Sequence, residues 1–177
     1  MISKLKAVFA AVIIGTCIGA CSAPTPEYNR DAFGTPWADV DGNGCDTRND
    51  VLARDLIDTT IEENCKVTDG LLVDPYDGKE VRLADGIHID HVVSLKEAWA
   101  TGAHQWSPKR RLQFANDQMN LLATSASNNM KKGDKRASEW LPEVNVCDYL
   151  NRYVDVKVKY DLHVRETTEL LLIKEGC

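Results

Sequence analysis

Four cysteines constrain this chain more than any other feature. Cys45, Cys65, Cys147 and Cys177 follow a leader that reads as an export signal, and cysteines of an exported domain pair as disulfides. Sequence alone allows three pairings. Cys45–Cys65 and Cys147–Cys177 are favoured because each joins residues of one local segment, and the second would pin a C-terminal helix through the last residue. Each loop would contribute roughly 3 kcal/mol in the chain-entropy model. A cysteine metal site competes weakly, since no CxxC spacing occurs.

The leader has two parts. Met1 to Lys6 carries Lys4 and Lys6 and no acid, and Ala7 to Ala20 is apolar or small. That layout is a signal peptide over residues 1–20, with an apolar part too short to span a bilayer comfortably. Ile18-Gly19-Ala20-Cys21 resembles a bacterial lipobox. Cleavage before Cys21 and lipidation there would make an extracytoplasmic, membrane-anchored lipoprotein; ordinary cleavage nearby, with Cys21 incidental, would make a secreted protein. Residues 21–29, with Pro24, Thr25 and Pro26, read as a tether. Residues 30–177 then suit one domain. At 44% apolar and 27% charged the composition is globular, and no later apolar run reaches the length of a membrane span.

Charge is unevenly spread. Without residues 1–20 the net charge is −8, yet residues 91–136 carry eight bases against three acids. The bases cluster as Lys109-Arg110-Arg111 and Lys131-Lys132 with Lys135-Arg136. An acidic chain does not coat nucleic acid, but a basic island within it suits a local phosphate-facing patch. A solvated surface is the bland alternative.

Coarse periodicity predicts mixed α and β elements. Asn49 to Thr59 has helical spacing, with Val51, Leu52, Leu56 and Ile57 on one face. Lys66 to Val73 and Glu80 to Leu83 read as strands around the turn Asp74-Pro75-Tyr76-Asp77-Gly78, and Ile87 to Val93 as a third. Ser94 and Ser107 open helices, the first by a capping box and the second with Pro108 at its first position. Asn120 to Thr124 reads as a strand and Ser125 to Lys132 as a helix ended by Gly133. Tyr149 to Tyr160 and Thr167 to Lys174 read as closing helices. Asp39, Asp41, Asn43, Gly44 and Asp50 partly mimic a calcium loop, but Asp50 stands where the usual Glu would, so a tight polar turn is the better reading. The four Trp read as core or rim packing.

The residues that carry chemistry lie in three stretches. Asp90-His91 ends a strand, Asn120-Leu121 precedes another, and Asn129 stands nine residues after Asn120 with Lys132 three residues on. This combination resembles HNH endonucleases, the His-metal finger group. Asp39 to Asp50, Ile89 to Trp99 and Lys132 through Pro142 resemble in particular the secreted bacterial HNH group related to the C-terminal domain of GmrSD-type restriction enzymes. The likeness covers nearly all of residues 28–177.

The resemblance implies an α+β fold, with a ββα-metal (His-Me) finger embedded in a mostly helical, disulfide-stapled domain bearing a small β-hairpin. It implies a metal-dependent endonuclease that hydrolyses phosphodiester bonds of DNA, with RNA a second candidate substrate, acting as a monomer. His91 would activate water. Asp90 and Asn129 would hold a divalent metal, and their hard oxygens favour Mg²⁺ or Mn²⁺. Asn128 rivals Asn129, and the Asn-x-x-Lys-Gly-Asp phrase favours the latter. Asn120 would hold the finger loop or fix His91. Arg48, Lys131, Lys132 and Lys135 would contact phosphates. The rival from another class is a non-catalytic envelope lipoprotein that uses the finger as a binding scaffold.

Overall fold

The computed structural model describes residues 24–163 and 172–177. The leader, Cys21 and residues 164–171, which include 167–171 of the expected last helix, lie outside the described residues. Among the described residues no helix is long and apolar enough to cross a membrane. The described residues form an α+β fold in which α-helices pack around two small antiparallel sheets.

Residues 24–29 lead into a 3-10 turn at Arg30–Phe33. Part of the segment read as a tether is packed on the domain: the Pro26 carbonyl accepts from Trp99 Nε1, and Tyr28 meets the Trp99 ring edge-on. The loop over residues 39–45 is closed by its own side chains. Asp39 accepts from the Gly42, Asn43 and Gly44 amides, and Asn43 Oδ1 from the Cys45 amide. Its carboxylates serve the backbone, as a polar turn requires.

Helix α1, Thr47–Asp55, starts where Asp46 caps the Asn49 amide. It ends four residues before the expected limit, and the chain turns into a strand, β1 (Ile57–Ile61). β-Branched Ile57, Thr59, Thr60 and Ile61 favour extended backbone, and β1 pairs with β2 (Val67–Val73). With β3 (Glu80–Arg82) this gives three strands in the order β1-β2-β3, so the expected hairpin gains a third strand.

The second sheet is a two-stranded ribbon. β4 (Ile87–His91) pairs with β5 (Leu121–Ser125), with Ile89 opposite Ala123 and His91 opposite Leu121. Between them in the chain come α2 (Leu95–Thr101), capped by Ser94 on the Glu97 amide, and α3 (Pro108–Ala115), capped by Ser107. α4 (Ala126–Lys132) follows β5 directly, capped by Ser125 and ended at Gly133, whose φ of 55° suits glycine. α5 (Val146–Lys159) closes the described fold.

Two cores flank the ribbon. Val51, Leu52, Leu56, Val67, Leu72, Ile87, Ile89, Leu121 and Ala123 pack on the α1 side. The larger core gathers Phe33, Val92, Val93, Trp99, Phe114, Tyr149, Leu150 and Tyr153 between α2, α3 and α5. The disulfides are Cys45–Cys65 and Cys147–Cys177, with Cα separations of 5.5 and 5.2 Å. The first ties the loop before α1 to the β1–β2 turn, and the second ties the first turn of α5 to the C-terminus.

Candidate functional site

The ribbon's outer edges bond to side chains, which fixes where β4 and β5 present their residues. On β5, Ala123 N–H donates to Asp55 and the Leu121 carbonyl accepts from Arg54. On β4, the Ile87 carbonyl accepts from Arg48 at 3.1 Å and the His91 carbonyl from Lys132 at 2.8 Å. These contacts satisfy edge groups that would otherwise be open. Beside the ribbon lies a cleft of about 440 Å³, whose walls include His88, Asp90, His91, Asn129 and Lys96. The Asp90-His91 pair and Asn129, distant in the chain, meet there.

His91 is the ring best placed for proton transfer. Its Nε2 bonds the Ala115 carbonyl at 2.8 Å. A carbonyl only accepts, so Nε2 carries the proton and Nδ1 keeps its lone pair. Burial pushes the His91 pKa down to about 4, with the charges of Arg30 and Lys132 acting in the same direction and the Ala115 bond against it. The ring is therefore a neutral acceptor at neutral pH.

Asp90 and Lys132 hold an arrangement the sequence did not suggest. Asp90 is 4% exposed and Lys132 is wholly buried. Lys132 Nζ donates to Asp90 Oδ1 at 3.0 Å, while Tyr76 Oη donates to Asp90 Oδ2 at 2.6 Å. Burial raises the Asp90 pKa despite the opposing Lys132 charge. Burial, then the Asp90 charge, holds the Tyr76 phenol well above its ordinary value, so it stays a donor. Lys132, expected at the substrate phosphate, instead joins Asp90 to the backbone of His91 inside the protein. Arg48 is half-buried and gives one guanidinium N–H to the Ile87 carbonyl. Lys131 and Lys135 are exposed, and Lys135 Nζ donates to the Lys131 carbonyl.

The asparagines separate cleanly. Asn128 is buried and donates to Asp74 Oδ2 at 2.8 Å. Asn129 is half-buried on the cleft wall, its amide nitrogen 3.2 Å from His88 Nδ1. Asn120 is wholly buried: Oδ1 accepts from Val93 N and Nδ2 donates to Val93 O. It therefore pins the turn after His91, and the ring itself is held by Ala115.

Sequence reasoning missed several participants. Asp74 is fully buried and accepts from the Tyr76 and Ser125 amides, the Thr124 hydroxyl and the Asn128 amide. It locks the β2–β3 turn to the start of α4. Tyr76 lies in the same turn, and an aromatic inside a polar turn phrase was the available signal. Arg30 lines the cleft, and Trp37 stacks near His91 with centroids 6.2 Å apart. Nothing in the sequence ties either to His91, more than fifty residues away.

The donor chemistry tests the expected cation site. A divalent cation needs open, hard oxygen donors. Asp90 does not fit, because both its oxygens are engaged and a buried ammonium lies 3.0 Å away. Asn129 fits, since its amide nitrogen faces His88 and leaves Oδ1 for the cleft. Among the described residues no group of three or more His, Cys, Asp or Glu is set to hold a metal.

Residues 46–175 match the family model described as GmrSD restriction endonucleases, C-terminal domain. A protein of the fungus Arthroderma benhamiae, described as an uncharacterized secreted protein, is 38% identical over 145 residues, covering 80% of this chain and 70% of its own. That relative is fungal, whereas the sequence likeness pointed to a bacterial group. No solved structure matches.

Proposed function

Because the chain belongs to the family of GmrSD restriction endonuclease C-terminal domains, we propose that it is an extracytoplasmic HNH-type nuclease hydrolysing phosphodiester bonds, in DNA first and RNA second. The observation that carries this reading is His91: a neutral imidazole, its Nε2–H held by the Ala115 carbonyl, on the wall of a polar cleft. The strand–strand–helix unit of β4, β5 and α4 serves as its His-Me finger. Disulfides and a secreted relative support export.

His91 Nδ1 accepts a proton from water as the water oxygen attacks phosphorus. Asn120 and Lys132 fix the backbone on either side of the ring, and Asp90 and Tyr76 hold Lys132 in place. Asn129 Oδ1, with His88 beside it, would be one ligand of a divalent cation, Mg²⁺ or Mn²⁺, which when bound would supply polarisation of the phosphate and neutralisation of the oxygen that leaves as the P–O bond breaks.

Incubating the disulfide-intact protein with plasmid DNA and Mg²⁺ or Mn²⁺ tests the reading. His91→Ala is expected to lower cleavage by about 10²–10⁴ with an unchanged melting profile. In the wild type, kcat/KM should hold steady down to about pH 5, because His91 titrates near 4, rather than fall with an ordinary imidazole midpoint. Full activity of the folded variant excludes His91 as base, and absence of cleavage by the wild type with either metal returns the chain to the scaffold reading.

A further inference from the structure

His91 stands between two cavities of opposite character. The polar cleft lies on one side. On the other is a smaller slot of about 90 Å³, walled by Phe33, Pro36, Trp37 and Leu95. His91, Leu95 and Arg30 border both. Arg30, Asp31, Thr35 and the His91 ring supply its polar groups and the rest of its lining is apolar or aromatic, and Trp37 lies within 15° of the His91 ring plane. Trp37 has φ of 56°, a left-handed backbone that a bulky residue adopts only at a cost. The surrounding fold holds it there, its carbonyl accepting from the Thr47 amide. Arg30 is exposed and forms no ion pair among the described residues.

We infer that this slot receives the nucleobase next to the scissile phosphate, with Arg30 holding that phosphate across the shared rim, so that the preferred substrate is an unpaired strand. The inference rests on the nuclease reading and deepens it. A phosphodiester in the cleft has its flanking sugar and base within a few ångströms. The Trp37 ring offers the slot a planar aromatic face, which suits the face of any base. A base within a duplex is already stacked on both sides and paired, so entering the slot would cost unstacking that an unpaired strand does not incur. Arg30 supplies the one charge complementary to a phosphate at the boundary.

The test uses fluorescein-labelled dT12, rU12 and a hairpin duplex with the full disulfide-bonded chain. Wild-type kcat/KM should be at least about tenfold higher on an unpaired strand than on the duplex, the two labelled strands showing whether DNA or RNA is used. Trp37→Leu should erase that advantage by raising KM about tenfold, one base–aromatic stack, and Trp37→Phe should restore most of it. Arg30→Gln should raise KM on all three. In the His91→Ala background, anisotropy should show dT12 binding weakened about tenfold by Trp37→Leu and recovered by Trp37→Phe. Equal wild-type rates on strand and duplex, or unaltered dT12 affinity in Trp37→Leu, overturns the inference and leaves the nuclease reading standing. No cleavage of any substrate overturns the nuclease reading, while the anisotropy still decides the slot.

Discussion

At the scale of single residues, the polar side chains around His91 divide by burial. Lys132 shows this most clearly. A lysine three residues after a candidate asparagine in a basic run reads as a phosphate contact, because charge runs are usually solvated. The fold instead buries its whole side chain and gives its ammonium the Asp90 carboxylate and the His91 carbonyl. Sequence reveals the charge but not the burial, which depends on where β4 lies against α4. Lys132→Met should leave Asp90 buried and unpaired and cost about 3–5 kcal/mol, read as a large fall in denaturant midpoint. A phosphate contact would raise KM and spare stability, and that result would restore the surface reading. The meeting of His91 and Asn129 on one cleft wall, and the hold of Asn120 on the loop after His91, follow a spacing that the sequence displays. Arg30, Trp37 and Asp74 were not legible there, because their part in the site depends on tertiary proximity alone.

At the scale of elements, capping residues made most helix boundaries readable. Ser94, Ser107 and Ser125 each cap as expected. The exception is the C-terminal part of the Asn49–Thr59 segment. Its apolar spacing continues a helix through Ile57, yet the chain from Ile57 onward finds more in pairing with β2. A sequence window does not contain that partner. Asp74 joins elements that no pattern links: one carboxylate takes donors from the β2–β3 turn, from β5 and from α4. Asp74→Ala would strand buried donors from all three and should cost about 3 kcal/mol or more, measured by chemical denaturation. A loss under about 1 kcal/mol would show that water replaces the carboxylate there.

At the scale of the whole molecule, the basic island in the sequence does not form one basic surface. Arg111 donates inward to the Ala32 and Trp106 carbonyls, Arg110 pairs with Asp161, Lys96 with Asp134, and Lys132 is internal. Near the cleft this leaves Arg30, Lys131 and Lys135 without an acid partner among the described residues. Three cations on a single strand give a shallow salt response, with log kcat/KM falling against log salt at a slope of about −2. A slope near zero would remove these cations from substrate binding, and one beyond about −5 would demand a larger surface.

The two bridges carry a consequence for when the molecule matures. With the thiols reduced, the chain between Cys45 and Cys65 and that between Cys147 and Cys177 regain their freedom, and each closure forgone removes roughly 3 kcal/mol, a large share of an ordinary domain's margin. In the reducing interior of the cell that makes it, the polypeptide is thus a weakened precursor. On the proposed export, oxidation outside would harden it, so that sulfur chemistry would part the place of synthesis from the place where the fold is complete.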